Sequence, residues 1–196
     1  MNAQEFQALL ELLAMLVLDP RTAVLFALLV IASVSDYRSY RIPNWLTFGG
    51  AAFALVYKTT IAVSPPSAFL LAFGGLFLGF LIMLPPYALG VMGAGDVKLM
   101  AMVGAFLGID ETFNAVLFAF IAGGAGALGF ALLNGKLGRM LRNAKNVLRG
   151  MALSALVGLK PHAGMDAQQS IGKLPYGVCI SIGTIAYVLS RQLGYA

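Results

Sequence analysis

Two aspartates stand beside long apolar segments of this chain, where a charged side chain is costly. Asp96 follows a glycine-rich turn at residues 91–95 and opens an apolar run, and Asp36 lies at the far end of another apolar run. Bringing a carboxylate toward hydrocarbon costs about 2.5 to 3.5 kcal/mol, so such a residue marks a functional site by default. We expect the two acids to meet at one face of a membrane.

A pair of carboxyl groups in contact can hydrolyse a peptide bond. One acid must be protonated to polarise the carbonyl group, and the other must be ionised to activate water. Close approach supplies this state, because like charges about 3 Å apart cannot both ionise. The glycines Gly93 and Gly95 would let a substrate backbone approach Asp96 closely. The residues therefore predict a hydrolytic dyad of Asp36 and Asp96.

Two further roles are compatible with these acids. Asp96 could be a helix cap after a glycine turn, and Asp36 could be a polar helix end. The two acids could also form a relay in a proton-coupled transporter, which should show an inverted repeat and a substrate pathway at the midplane. The sequence shows no clear repeat. The single histidine, His162, and the loop acid Asp166 are expected to be incidental.

The composition is that of an integral membrane protein. The 196 residues are 60% hydrophobic and 11% charged, with a mean hydropathy of +0.86, whereas a soluble domain is about 45 to 50% apolar and about 25% charged. The net charge of +5 is confined to short segments between apolar runs, which argues against a nucleic-acid partner. The single cysteine, Cys179, excludes a disulfide framework and a thiolate zinc cluster. We expect no metal and no cofactor.

The apolar segments predict an all-α, polytopic membrane protein that forms one domain. Six transmembrane helices are expected, at about residues 20–36, 44–63, 67–84, 97–109, 112–133 and 174–193. Prolines at residues 20 and 43 should start helices, and the proline pairs at 65–66 and 85–86 should stop them. Gly75 and Gly79 form a small-residue pair suited to close helix packing. The fourth run is short, about 20 Å of helix, so Asp96 should be recessed below the membrane surface.

Two further segments are expected to lie along the membrane surface. The apolar run at residues 6–18 is too short to cross a bilayer and contains Glu11, so residues 1–19 predict an interfacial helix. Residues 134–150 carry five basic side chains at gaps of three or four, which favours an amphipathic helix on anionic headgroups. This helix would belong to a basic cytoplasmic segment at residues 134–173.

The distribution of basic residues predicts the orientation. With six spans, ten of the 13 basic residues fall on one side, and Arg21, Lys58 and Arg191 fall on the other. The richer side should be cytoplasmic, which puts both termini on the periplasmic side. The same arrangement places Asp36 and Asp96 together on the cytoplasmic side, although the charge count did not require it.

Three stretches of the chain resemble the motifs of a known family. They are, in chain order, Asp36-Tyr37-Arg38-Ser39-Tyr40-Arg41-Ile42-Pro43-Asn44, Gly93-Ala94-Gly95-Asp96-Val97-Lys98 and Leu174-Pro175-Tyr176-Gly177. In this order, in a six-span chain of this size, they resemble the type IV prepilin peptidases, which are GxGD-type aspartyl proteases of the bacterial inner membrane. The short form that serves Tad/Flp pili is the most similar, and the resemblance covers about residues 20–194.

The resemblance implies that Asp36 and Asp96 are the catalytic pair. The enzyme would remove the cytoplasmic leader of a prepilin, after a glycine that precedes the hydrophobic helix of the substrate. The other motif residues would bind substrate or support the site: Gly93, Gly95, Lys98, Pro43, Asn44, Pro175, Tyr176 and Gly177. Lys98 stands two positions from Asp96 on a helix and does not face it, so we expect it to meet lipid phosphate. The partners expected are the prepilin, with the pilus-assembly machinery as a possible further partner, and, from the basic segment, the anionic lipid headgroups of the bilayer.

Two departures from related families refine the expectation. Long members of the prepilin peptidases carry paired CxxC motifs that bind zinc and are associated with N-methylation of the new pilin terminus. With Cys179 as the only cysteine, we predict a peptidase without zinc and without methyl transfer. Presenilin-like proteases also carry GxGD, but their other aspartate follows a tyrosine, whereas Asp36 precedes Tyr37.

Overall fold

The computed structural model describes residues 19–133, 135, 138 and 175–194. Within these residues the secondary structure is six helices: α1 (Pro20–Ser39), α2 (Asn44–Ile61), α3 (Pro65–Ala88), α4 (Ala94–Leu107), α5 (Ile109–Leu133) and α6 (Tyr176–Gln192). The all-α expectation is confirmed for this part of the chain. Apart from Asp19, Gly135 and Gly138, the expected interfacial helix and the basic segment at 134–173, with His162 and Asp166, lie outside the described residues.

The starts of the helices follow local signals in the sequence. The Asp19 side chain caps α1 by accepting a hydrogen bond from the Arg21 N–H at 3.1 Å, and Pro20 takes the first helical position. Pro43 directly precedes α2, and Pro65 opens α3. The fixed φ of proline and its missing N–H group suit such positions. The predicted starts of α1 and α2 are confirmed.

The prediction that Pro85 and Pro86 end the third helix is wrong. The helix α3 continues to Ala88 and contains both prolines in its last turn. Proline has a helical φ, and its cost comes from the missing donor and from the clash with the preceding turn. The carbonyl oxygens of both prolines are satisfied, because Leu89 N–H donates to Pro85 O and Val91 N–H donates to Pro86 O, both at 3.0 Å.

The helix α4 is the centre of the bundle. It contacts each of the other five helices, and eleven of its fourteen residues are buried. Leu99, Met100 and Ala105, on different sides of the helix, are all fully buried. A helix that is apolar on all sides is buried in a protein core or in a membrane, and the other helices enclose this one. Asp96 therefore stands in the first turn of the most enclosed helix of the described chain.

Glycines bring α3 and α4 into contact backbone to backbone. Gly75 faces Gly104, and a Cβ atom on either residue would collide with the backbone of the other helix. A Cβ atom on Gly79 would lie 2.6 Å from the Met100 carbonyl oxygen. The predicted role of Gly75 and Gly79 as a packing pair is confirmed.

The exterior of the bundle is apolar. Large apolar side chains on α3 and α5 are exposed: Phe69, Leu70, Phe73, Phe77, Phe113, Leu117 and Ile121. Contiguous apolar surface of this extent is not stable in water. Within the described residues, α1, α3 and α5 are long and apolar enough to cross a membrane. These features are those of a membrane protein.

The ends of the helices form two clusters, because successive helices alternate in direction. At one end the last turn of α1 meets the first turns of α2, α4 and α6, as described below. At the other end Arg191 of α6 forms an ion pair with Glu111 of α5 at 2.6 Å. Lys58 of α2 interacts electrostatically with that pair and with Arg21 of α1. The three basic residues assigned to the periplasmic side by the sequence thus lie together.

Candidate active site

Asp36 lies in the last turn of α1 and is buried, with 5% of its surface exposed. Its Oδ2 atom accepts a hydrogen bond from the Gly177 N–H in the first turn of α6, at 2.7 Å. This distance is at the short end of the usual range for an N–H···O hydrogen bond. The first amide groups of a helix have no partner within the helix. The carboxyl group of α1 therefore caps the start of α6.

Gly177 provides the space that this hydrogen bond requires. A Cβ atom at this position would lie 2.8 Å from Asp36 Oδ2 and 2.9 Å from Ile42 Cδ1, well inside the 3.5 to 4.0 Å or so at which carbon atoms pack best. One turn later, Ser181 Oγ donates to the Leu29 carbonyl oxygen of α1 at 3.1 Å. The glycine of the predicted Pro175-Tyr176-Gly177 motif thus serves the approach of α6 to Asp36.

Asp96 is the third residue of α4, and Gly93 is the N-cap. The Asp96 Oδ2 atom accepts a hydrogen bond from the Gly93 N–H at 2.9 Å, and 7% of the surface of Asp96 is exposed. This is the acidic half of a capping box. Asp96 therefore helps to cap its own helix, which was the alternative role considered for it. Asp36, for which the alternative was a polar helix end, instead caps a different helix.

The two aspartates come together at one end of the bundle. Their carboxyl groups lie close enough to interact electrostatically. Ile42 lies between the two glycine motifs. Its Cβ is 3.3 Å from the position that a Cβ of Gly95 would take, and its Cδ1 is 2.9 Å from the position that a Cβ of Gly177 would take. In residues 19–133 and 175–194 neither acid has a basic partner within ion-pair distance.

The segment between α1 and α2 folds back to bring Ile42 inward. Tyr40 ends α1 in a left-handed conformation, with φ 51°, and its N–H donates to the Asp36 carbonyl oxygen at 2.8 Å. Ser35 Oγ donates to the Arg41 carbonyl oxygen at 2.8 Å. Ile42 is buried while its neighbours on both sides are more exposed. Sequence reasoning did not single it out, although it is the only aliphatic side chain in that polar segment.

Lys98 joins the second motif to the first. Its Nζ donates to Asn44 Oδ1 at 3.0 Å and lies 5.4 Å from the centre of the Phe48 ring. Asn44 is the first residue of α2, directly after Pro43. We expected Lys98 to meet lipid phosphate. In the described chain it contacts the Asn44 amide oxygen and the Phe48 ring.

Tyr176 and Cys179, in the first turns of α6, complete the surroundings of the acids. Tyr176 interacts electrostatically with Asp96, and Cys179 interacts with both aspartates. Gly123 of α5 faces both side chains: a Cβ there would lie 3.7 Å from the Tyr176 ring and 3.8 Å from Cys179 Cβ. Gly123 thus lies where α5 packs against α6. Cys179 is buried and free.

The arrangement can do acid–base chemistry. Two buried carboxyl groups interact electrostatically, and each is held through one oxygen by a backbone amide, an arrangement in which one acid can donate a proton and the other accept one. No group of three His, Cys, Asp or Glu side chains in the part of the chain that the structure describes could hold a metal ion.

A comparison with models of protein families matches residues 23–128 to the Type IV leader peptidase family. The match covers just over half of the chain and includes Asp36, Asp96 and the motif residues around them. It ends within α5, before the Pro175-Tyr176-Gly177 stretch. Neither the curated proteins nor the solved structures gave a match.

Proposed function

The chain belongs to the type IV leader peptidase family, and we propose that it is an aspartyl endopeptidase that removes the leader peptide from a Flp-like prepilin. Asp36 and Asp96 would be the catalytic pair. One observation supports this assignment above all. Two carboxyl groups sixty positions apart in the chain are buried at the same end of the bundle and interact with each other. A buried pair of like-charged groups is unfavourable unless the two share a proton, which is the state that hydrolysis needs.

In the proposed reaction the pair carries one proton. The protonated acid donates a hydrogen bond to the oxygen of the scissile carbonyl, and the ionised acid takes a proton from a water molecule that attacks the carbonyl carbon. The tetrahedral intermediate then breaks at the C–N bond, and the leaving nitrogen takes a proton from the pair. The amides of Gly177 and Gly93 would hold the two carboxyl groups in place through these steps.

We propose that all six helices cross the inner membrane with this end toward the cytoplasm. Arg38, Arg41 and Lys98 lie at the end that holds the aspartates, as the positive-inside rule requires of the cytoplasmic face. The helix α4 has 14 residues, about 21 Å, less than the hydrocarbon thickness of about 30 Å. Asp96 would then lie slightly below the surface, where a bond just before a hydrophobic helix can reach it.

The proposed activity is peptidase activity alone. With Cys179 as the only cysteine, the chain lacks the paired cysteine motifs that accompany methyl transfer in long relatives of the kind it resembles. We propose that the product leaves with a free amino terminus. An N-methylated pilin made by this protein alone would contradict this part.

The test is to co-express a prepilin with wild type, Asp36→Asn and Asp96→Asn, and to follow leader removal on a gel. Asp110→Asn is the matched control, because Asp110 is exposed at the far end of the bundle. Wild type and the control should process the prepilin, and the two site variants should leave it unprocessed although present in the membrane. Processing by either site variant at more than about a tenth of the wild-type rate would overturn the proposal. Proton-coupled uptake that persists without processing would favour a transporter.

A further inference from the structure

An apolar groove opens on the outside of the bundle between α2, α3 and α4. Its volume is about 330 Å³. Ala101 and Met102 of α4 form the floor, Phe48 of α2 forms one wall, and Phe77 and Phe80 of α3 form the other. The groove lies on the apolar exterior, so its surroundings in the cell are lipid.

The groove has a cation at the end nearest the aspartates. Lys98 lines it, one helical turn before Ala101. The contacts of Lys98 Nζ are the neutral Asn44 amide and the Phe48 ring, and no carboxylate in the described residues pairs with it. A lysine ammonium has three donors. Its charge at this end of the groove is therefore uncompensated by the described chain.

The dimensions favour an acyl chain over a helix as the occupant. A helix with side chains is about 10 to 12 Å across, whereas α2 and α3, which form the two walls of the groove, contact each other directly. An acyl chain is a single file of methylene groups and fits between them. Apolar contact alone does not distinguish the groove from bulk bilayer, because lipid tails are as apolar as the side chains. The charge of Lys98 supplies the selectivity.

We propose that this groove holds one acyl chain of an anionic phospholipid, whose phosphate contacts Lys98 Nζ. Neither aspartate lines the groove, and the proposal does not depend on the proposed peptidase activity. It would bring a lipid headgroup to the point where Lys98 joins α4 to Asn44 at the start of α2. The bound lipid thereby becomes part of the contact between two motif stretches.

The test counts lipids retained by the purified full chain in detergent, by native mass spectrometry, after addition of phosphatidylglycerol or the zwitterionic phosphatidylcholine. Lys98→Gln removes the charge, and Ala51→Phe fills the groove from α2. The matched controls are Lys58→Gln at the far end and Ala52→Phe, the next and exposed residue of α2. Wild type and both controls should retain one phosphatidylglycerol in preference to phosphatidylcholine, and both groove variants should retain at least tenfold less.

Equal retention by groove variants and controls would overturn the proposal, and so would equal retention of the two lipids by wild type. If Ala51→Phe does not fold, Lys98→Gln against Lys58→Gln decides the matter. A third outcome assigns the groove to the prepilin helix instead: Ala51→Phe would raise the KM for prepilin while lipid retention stays that of wild type. That result also overturns the lipid site.

Discussion

Gly177→Ala should remove most peptidase activity while leaving the bundle folded. The added Cβ would lie 2.8 Å from Asp36 Oδ2, 2.9 Å from Ile42 Cδ1 and 3.1 Å from Asp36 Cβ. The two closest atoms are the ends of side chains, not backbone. The clash can therefore be relieved by moving the Asp36 carboxyl group and Ile42, with little change in the position of α6.

The size of the effect follows from the hydrogen bond that this movement breaks. The Gly177 N–H to Asp36 Oδ2 distance is 2.7 Å, and a hydrogen bond to a charged group contributes about 1.5 to 3 kcal/mol. If that bond orients the acid in the transition state, its loss slows cleavage about 10- to 150-fold, at about 1.4 kcal/mol per tenfold. Displacing a reacting group by about 1 Å has a similar cost.

The assay is the rate of leader removal from a purified prepilin, with thermal unfolding in detergent measured alongside. Gly124→Ala is the control for the substitution itself, since nothing lies within 4 Å of its added Cβ. Gly183→Ala is the control for a clash elsewhere on α6, because its Cβ would lie 2.5 Å from Ala119 Cα. Gly183→Ala should lower the temperature of unfolding, while the protein that does fold should keep most of its activity. A folded Gly177→Ala protein as active as Gly124→Ala would refute the reasoning.

Three more outcomes follow from the structure. Gly75→Ala should lower the free energy of unfolding in detergent by about 1 to 3 kcal/mol, because the added Cβ would meet the backbone of Gly104 and Gly108. The control Gly49→Ala should leave that free energy unchanged, because its added Cβ faces open space. The cleavage rate should be bell-shaped in pH, because the pair loses its function at low pH when both acids are protonated and at high pH when neither is; a single rising limb would exclude a shared proton. A metal chelator should leave the rate unchanged, since the described residues offer no set of three metal-binding side chains; a loss reversed by zinc would contradict this.

Much of the helical frame could be predicted because its signals are local. Asp19 followed by proline, and Pro43 before Asn44, mark helix starts through capping and a fixed φ. The end of α3 could not be placed, because proline has a helical φ and two prolines can be held within the last turn of a helix. The hydrogen bonds from Leu89 N–H and Val91 N–H to the two proline carbonyl oxygens close the helix, and they are not visible in a local pattern.

The meeting of the aspartates could be anticipated, but the way each is held could not. Six alternating helices put Asp36 and Asp96 at the same end whatever the side chains do. The hydrogen bond between Asp36 and Gly177 joins residues 141 positions apart, and the contacts of Ile42 depend on how three helix ends pack. Such distances in sequence leave no periodic signal. The glycine of the last motif could be recognised only by resemblance, and its physical reason comes from the structure.

The central claim is tested most directly with purified enzyme in lipid vesicles, by single-turnover cleavage of a prepilin by wild type, Asp36→Asn and Asp96→Asn. Asparagine is the informative substitution, because its amide oxygen can still accept the hydrogen bonds from Gly177 and Gly93, so the caps persist while the acid is lost. We predict that each variant unfolds near the wild-type temperature and cleaves about 10² to 10⁴ times more slowly. A folded variant of either aspartate that keeps more than about a tenth of the wild-type rate would contradict the account.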